Sequence, residues 1–152
     1  MTVGCETLEY MLETLGGSDG LLFSSTDADD PVGEGVYYTW TPEELAAVLG
    51  RASKPLAAAY SVLSGGNFEG RSVLNRIGDP ALLSAVRERL LAARLRRPPP
   101  SVDDKRVLAW NAMAATALAL GGRLLGERRY TDAALHIAQG MLAARGDDGL
   151  LR

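Results

Sequence analysis

The chain has 152 residues, enough for one ordinary domain with a core of its own. Hydrophobic residues make up 47% and charged residues 23%, the profile of a globular protein and not of a disordered one. The net charge of -3 argues against nucleic acid, which needs a concentrated basic face, and no apolar run approaches the roughly 20 residues that span a bilayer.

Residues 5–15 predict a helix, with Leu8, Met11, Leu12 and Leu15 on one face and Gly16 and Gly17 as its stop. Cys5, the single cysteine, cannot form an internal disulfide and reads as a small packing residue. The opening residues lack a basic stretch followed by an apolar core, so no secretory signal is expected and the expected location is cytoplasmic. "GLLFSS" and "GVYYTW" read as two short strands. They flank an acidic segment containing Asp27, Asp29, Asp30 and Glu34, and together predict one long-looped hairpin.

"TPEEL" is a clear helix start: Thr41 caps, Pro42 suits the first turn and Glu44 completes a capping box. That helix runs to Gly50, and a second covers 55–63 before Gly65 and Gly66. "NFEGRSVLNRI" reads as irregular or briefly extended. Asp79 and Pro80 then open a long helix to Leu95, with Leu83, Val86 and Leu90 inward and Arg87, Glu88 and Arg94 outward. "RRPPP" ends it, and the basic cluster Arg94, Arg96 and Arg97 reads as a solvated helix end. Two further helices, 104–125 and 131–145, are joined by "GERR" and predict an antiparallel hairpin. The fold class is mainly α with one small β-hairpin, in a single domain over 1–152.

The acidic segment resembles an EF-hand loop only superficially. Counting from Asp27, position 6 is Val32 where calcium loops need glycine, and no bidentate glutamate closes the loop. A turn with aspartates capping backbone amides is the plain reading. In "SVDDKRVLAWNAM", Asp103 or Asp104 should cap the following helix. At helical spacing Asp103, Val107 and Trp110 share one stripe, and Asp104, Leu108 and Asn111 the next. Those stripes fit a polar pocket as well as a buried tryptophan above a satisfied asparagine. His136, the one histidine, shares a polar face with Asp132 and Gln139 and reads as solvated. No Ser-His-Asp set and no His/Cys metal cluster can be assembled, and "GGNFEG" lacks the dinucleotide-loop spacing. Neither cofactor nor metal is expected.

"GLLFSSTDADDPVGEGVYYTWTPEEL", "GNFEG", "RPPPSVDDK" and "AWN" occur in this order in a family of thioredoxin-domain proteins that includes bacterial YyaL and the spermatogenesis-associated thioredoxin-like protein of animals. The chain resembles that family over about residues 5–145. The resemblance implies the middle of an α/α toroid of the six-hairpin-glycosidase type, similar to N-acylglucosamine 2-epimerases. The thioredoxin-like domain, the Cys-x-x-Cys motif, and the first and closing hairpins would be absent. Trp110-Asn111-Ala112 stands where the family has Trp-Asn-Gly, and the connection between "TPEEL" and "GNFEG" is shortened. An incomplete ring predicts a remodelled compact bundle, self-association, or a gene fragment with no complete active site, and the expected partners are a further copy or the missing toroid and thioredoxin-like modules.

Two functions from different classes follow. In the first, the chain carries a carbohydrate-type pocket for a sugar-like small molecule. Asp27, Asp29, Asp103 and Asp104 are its candidate acids, and Tyr38, Trp40, Asn67, Glu69, Trp110 and Asn111 its binding residues. A pair of carboxylates there could serve as acid and base of an epimerase- or glycosidase-like enzyme. In the second, the chain is a helical protein-interaction module. For the chain by itself the binding, non-catalytic reading ranks ahead of catalysis.

Overall fold

The computed structural model describes residues 2–75, 80–144 and 146. The chain is mainly helical with small antiparallel β pairings, and divides into two compact units, Met1–Thr26 with Val102–Arg152, and Asp27–Ser101. Among the described residues no helix is long and apolar enough to cross a membrane.

The first unit is built on three helices, α1 (Thr2–Leu15), α6 (Leu108–Leu125) and α7 (Arg128–Ala143). The spacing seen in the sequence puts Leu8 of α1, Leu118 of α6 and Ile137 of α7 into one core with Leu21, Leu22 and Tyr130. Helix α6 ends on Gly126 in the left-handed conformation (φ 72°), and its N–H donates to Gly122 O. Only Gly126 and Glu127 separate α6 from α7, so the two run antiparallel, as expected. Close approach fixes Gly122, because a Cβ there would collide with Thr131. Strand β1 (Ser25–Thr26) pairs antiparallel with β4 (Val102–Asp103), Ser25 opposite Asp103.

The second unit holds α2 (Pro42–Leu49), a short 3-10 turn, α3 (Ser53–Ala59), α4 (Pro80–Ser84) and α5 (Arg87–Arg94). The capping box is formed as read: Glu44 N–H donates to Thr41 Oγ1 at 3.2 Å and Thr41 N–H to Glu44 Oε2 at 3.0 Å. Trp40, Leu45, Leu49, Leu56, Tyr60, Val86 and Leu90 form the core.

Three expectations are corrected. The hairpin is confined to the acidic segment itself, β2 (Asp29–Asp30) against β3 (Gly33–Glu34). Its expected flanks pair elsewhere: Leu22 bridges to Gly16, Ser25 pairs with Asp103, and Trp40 bridges to Ser72. Gly35 at φ 67° starts a turn in which the N–H groups of Tyr38 and Thr39 both donate to its carbonyl, so "GVYYTW" does not extend as a strand. The long helix after Pro80 is broken between α4 and α5, at the place where Ser84 and the β-branched Val86 are its weakest helix formers. Asp79 lies outside the described residues. Finally, α6 starts at Leu108 behind an uncapped Val107, because Asp103 is held extended in the ladder with Ser25.

Candidate binding site

The segment bearing Tyr38 and Trp40 turns so tightly that the carbonyls of Val36, Tyr37 and Thr39 find no ladder partners, and buried carbonyls need donors. Arg97 supplies them. Its Nη1 donates to Val36 O at 2.8 Å, Tyr37 O at 3.0 Å and Thr39 O at 2.7 Å, and its Nη2 to Glu44 Oε2 at 3.1 Å. The guanidinium lies 4.1 Å from the centre of the Trp40 ring. Arg71 completes the clamp, with Nε to Thr39 Oγ1 at 2.8 Å, Nη2 to Thr39 O at 2.9 Å, and an ion pair to Glu44. Both arginine side chains are only 17% exposed. Arg97 is therefore a buried tether, which corrects its reading as a solvated helix end. A planar five-donor fork performs this task, and an ammonium group could not.

Burial acts to raise the Glu44 carboxyl, but the hydrogen bonds from Arg71 and Thr41 and the charges of Arg97 and Arg71 outweigh it. Its pKa is held below the ordinary value. A carboxyl lowered in the fold contributes stability above its unfolded pKa and loses it as the pH falls through the folded one. Unfolding of the Asp27–Ser101 unit should therefore become easier as pH falls below about 4.3. Denaturant melts at a series of pH values would show this slope, and Glu44→Gln should flatten it. An unchanged slope in that variant would refute the clamp's ionic character.

Beside the clamp, the Arg94 guanidinium lies 5.6 Å from the Tyr37 ring centre and 5.7 Å from that of Tyr38. The two rings meet edge to face at 4.8 Å. Arg94, expected to point outward, is half-buried, and its Nε is buried with no hydrogen-bond partner among the described residues. Arg94, Arg87, Tyr38 and Trp40, with aliphatic side chains from Val73 to Leu91, line a cavity of about 320 Å³.

Of the predicted binding residues, Tyr38 and Trp40 meet in this cavity. Tyr38 is 40% exposed, whereas Trp40 is 4% exposed with Arg97 across its ring, so Tyr38 is the more open aromatic surface. Asn67 exchanges hydrogen bonds with the Val73 backbone at 3.1 and 2.8 Å, closing a turn with the exposed Glu69 at its tip. Asp27 accepts from Asp29 N–H and from Ser101 Oγ, each at 3.3 Å, and Asp29 is exposed.

The remaining candidates belong to the other unit. Asp103 accepts from Lys105 N–H at 3.3 Å and pairs with Lys105 Nζ at 2.8 Å, which holds its carboxyl below the ordinary value. Asp104 is exposed and does not cap α6. Trp110 is 51% exposed, which corrects its reading as a buried ring. Asn111 is 2% exposed, and its amide is committed to Leu22 and Val107. His136 is exposed beside Asp132 and Gln139, as expected. Among the described residues no group of three or more His, Cys, Asp or Glu side chains could hold a metal ion.

Sequence reasoning missed Arg71, Arg87, Arg94 and Arg97 as site residues. A signal existed in Arg87 and Arg94, seven residues apart and so two turns along one side of a helical stretch. The charge-outward rule discarded it.

No family model matches the chain. It is similar to spermatogenesis-associated protein 20 of Homo sapiens, 28% identical over 173 residues that cover 87% of this chain and 22% of that protein. The same protein of Rattus norvegicus is 30% identical over 168 residues, 83% of this chain and 21% of the relative. That of Mus musculus is 29% identical over 160 residues, 78% and 20%. The chain thus spans about a fifth of the length of the curated relatives it matches. The human alignment, at 173 positions, is longer than this 152-residue chain, so the human protein carries residues inside the matched region that this chain lacks.

Proposed function

We propose that this chain is a section of an α/α toroid of the kind its sequence resembles, acting as a non-catalytic section with a pocket for a sugar-like small molecule. The observation that carries this reading is the lining of the 320 Å³ cavity. Among the described residues it holds aromatic, aliphatic and arginine side chains and neither a carboxylate nor a histidine. Rings with a few polar donors suit binding, whereas an epimerase or glycosidase step needs a group that takes or gives a proton. The candidate acids Asp27 and Asp103 are engaged locally, with Asp29 and Ser101 and with Lys105. Titration with a monosaccharide panel followed by tryptophan fluorescence should saturate and be lost in Tyr38→Ala, with no turnover. Turnover that collapses in Asp104→Asn would replace this reading with the paired-carboxylate enzyme.

The interaction reading is favoured by one further feature. Trp110, Met113, Leu120 and Leu124 of α6 are 51%, 62%, 47% and 70% exposed. With Ala117 they recur at alternating steps of three and four residues, the seam spacing of packed helices. We place the missing toroid hairpins of a longer polypeptide on this stripe, consistent with relatives several times longer. The chain by itself should then self-associate, and a strictly monomeric mass at micromolar concentration would count against it.

A further inference from the structure

We propose that the occupant of the Tyr38–Leu90 cavity carries an apolar group, an aryl or branched alkyl substituent, and that Leu74, Leu83 and Leu90 form the floor on which it seats. The proposal rests on the reading of that cavity as a small-molecule site and adds the chemistry of the part that enters deepest.

The contrast between the cavity's depth and its mouth carries the case. Leu90 and Trp40 are 5% and 4% exposed and belong to the core of the unit, and Leu74 and Leu83 are half-buried against that core. These four line the cavity from within, whereas Tyr38, Val73, Arg87 and Leu91 line it as exposed side chains at its mouth. The arginines do not change the character of the floor. Arg94 lies with its guanidinium over the Tyr37 and Tyr38 rings, and its Nε is closed off from solvent. Arg87 already has a partner. Leucine side chains offer nothing to a hydroxyl, so a sugar ring pressed onto them would lose its hydration without a hydrogen bond in return. An aryl or branched alkyl group has no such hydration to lose, and it gains contact with leucine and with the Trp40 ring. A cavity of about 320 Å³ holds one group of that size, which leaves a sugar ring over Tyr38 at the mouth, where water still serves its hydroxyls.

The test is calorimetric titration of the full chain with glucose, phenyl β-glucoside and phenol. Phenyl β-glucoside should bind about ten- to a hundredfold more tightly than glucose, the gain from burying one ring of that size. Leu83→Asn should erase that gain while leaving glucose binding in place. Equal affinity for glucose and its phenyl glycoside would overturn the proposal and leave the sugar-binding reading standing. Phenol that binds where glucose does not would support the apolar floor and remove the sugar reading. Failure of the whole panel to bind would remove both. A phenyl advantage that survives Leu83→Asn would overturn the assignment to this floor. Should Leu83→Asn fold poorly, nuclear Overhauser contacts in the unaltered chain give an independent readout. Phenyl protons of the bound glucoside must reach the methyl groups of Leu83 and Leu90, and their absence overturns the proposal.

Discussion

Replacing Arg97 with alanine should destabilise the Asp27–Ser101 unit by about 2–4 kcal/mol. The side chain donates to three carbonyls of one turn, those of Val36, Tyr37 and Thr39, and to Glu44. Removing it leaves the carbonyls of Val36 and Tyr37 to whatever water can reach them, while Thr39 O keeps Arg71 Nη2 at 2.9 Å, at about 1 kcal/mol for each bond lost. It also uncovers the Trp40 ring, where a cation worth about 0.5–2 kcal/mol is stacked. Glu44 keeps Arg71, and its side chain is 36% exposed, so the penalty of an abandoned buried carboxylate does not apply in full. Arg97→Lys should fall between the two, since one ammonium cannot reach three carbonyls and a carboxylate at once. Urea unfolding measures the total, and amide exchange at Tyr38 to Trp40 locates it. A loss below about 0.5 kcal/mol would mean that solvent already serves those carbonyls.

This prediction has no counterpart in the sequence, and the reason is physical. Features governed by neighbours within one or two turns were legible: the Thr41 and Glu44 capping box, the apolar stripe of α1, and the pairing of α6 with α7 through a two-residue link. Features set by distant partners were not. "GVYYTW" looks like a strand by composition, but the pairing of Trp40 depends on Ser72 and its carbonyls depend on Arg97. Asp103 has the chemistry of an N-cap, yet pairing with Ser25 holds it extended and moves the start of α6 to Leu108. The arginines show the same divide. Charge suggests solvent, but a long side chain can spend its donors on backbone carbonyls, as Arg71 and Arg97 do, or line a cavity, as Arg94 does. Of the candidate site, the aromatic half was thus visible and the cationic half was not.

The second large effect belongs to Asn111. Its Oδ1 accepts from Leu22 N–H at 2.7 Å, and its Nδ2 donates to Leu22 O at 3.0 Å and to Val107 O at 3.2 Å. One amide thereby does for Leu22 what a neighbouring strand would do, in a place where Asn111 and Leu22 are 2% and 6% exposed. Asn111→Ala leaves both backbone groups of Leu22 buried without that partner, at about 1–3 kcal/mol for each group. A total loss of about 2–4 kcal/mol is expected in urea unfolding, with amide exchange rising first at Leu22 and Phe23. Asn111→Asp sharpens the test, because it keeps the acceptor for Leu22 N–H but turns a second lone-pair oxygen toward two carbonyls. Burial and those carbonyls would raise the new carboxyl's pKa in the fold, so the folded state would bind the proton more tightly than the unfolded one. Stability of Asn111→Asp should accordingly rise as the pH is lowered toward that pKa, while Asn111→Ala shows no such gain. A loss below about 1 kcal/mol for alanine, or an aspartate variant without that recovery, would show that Leu22 is held by something other than this amide.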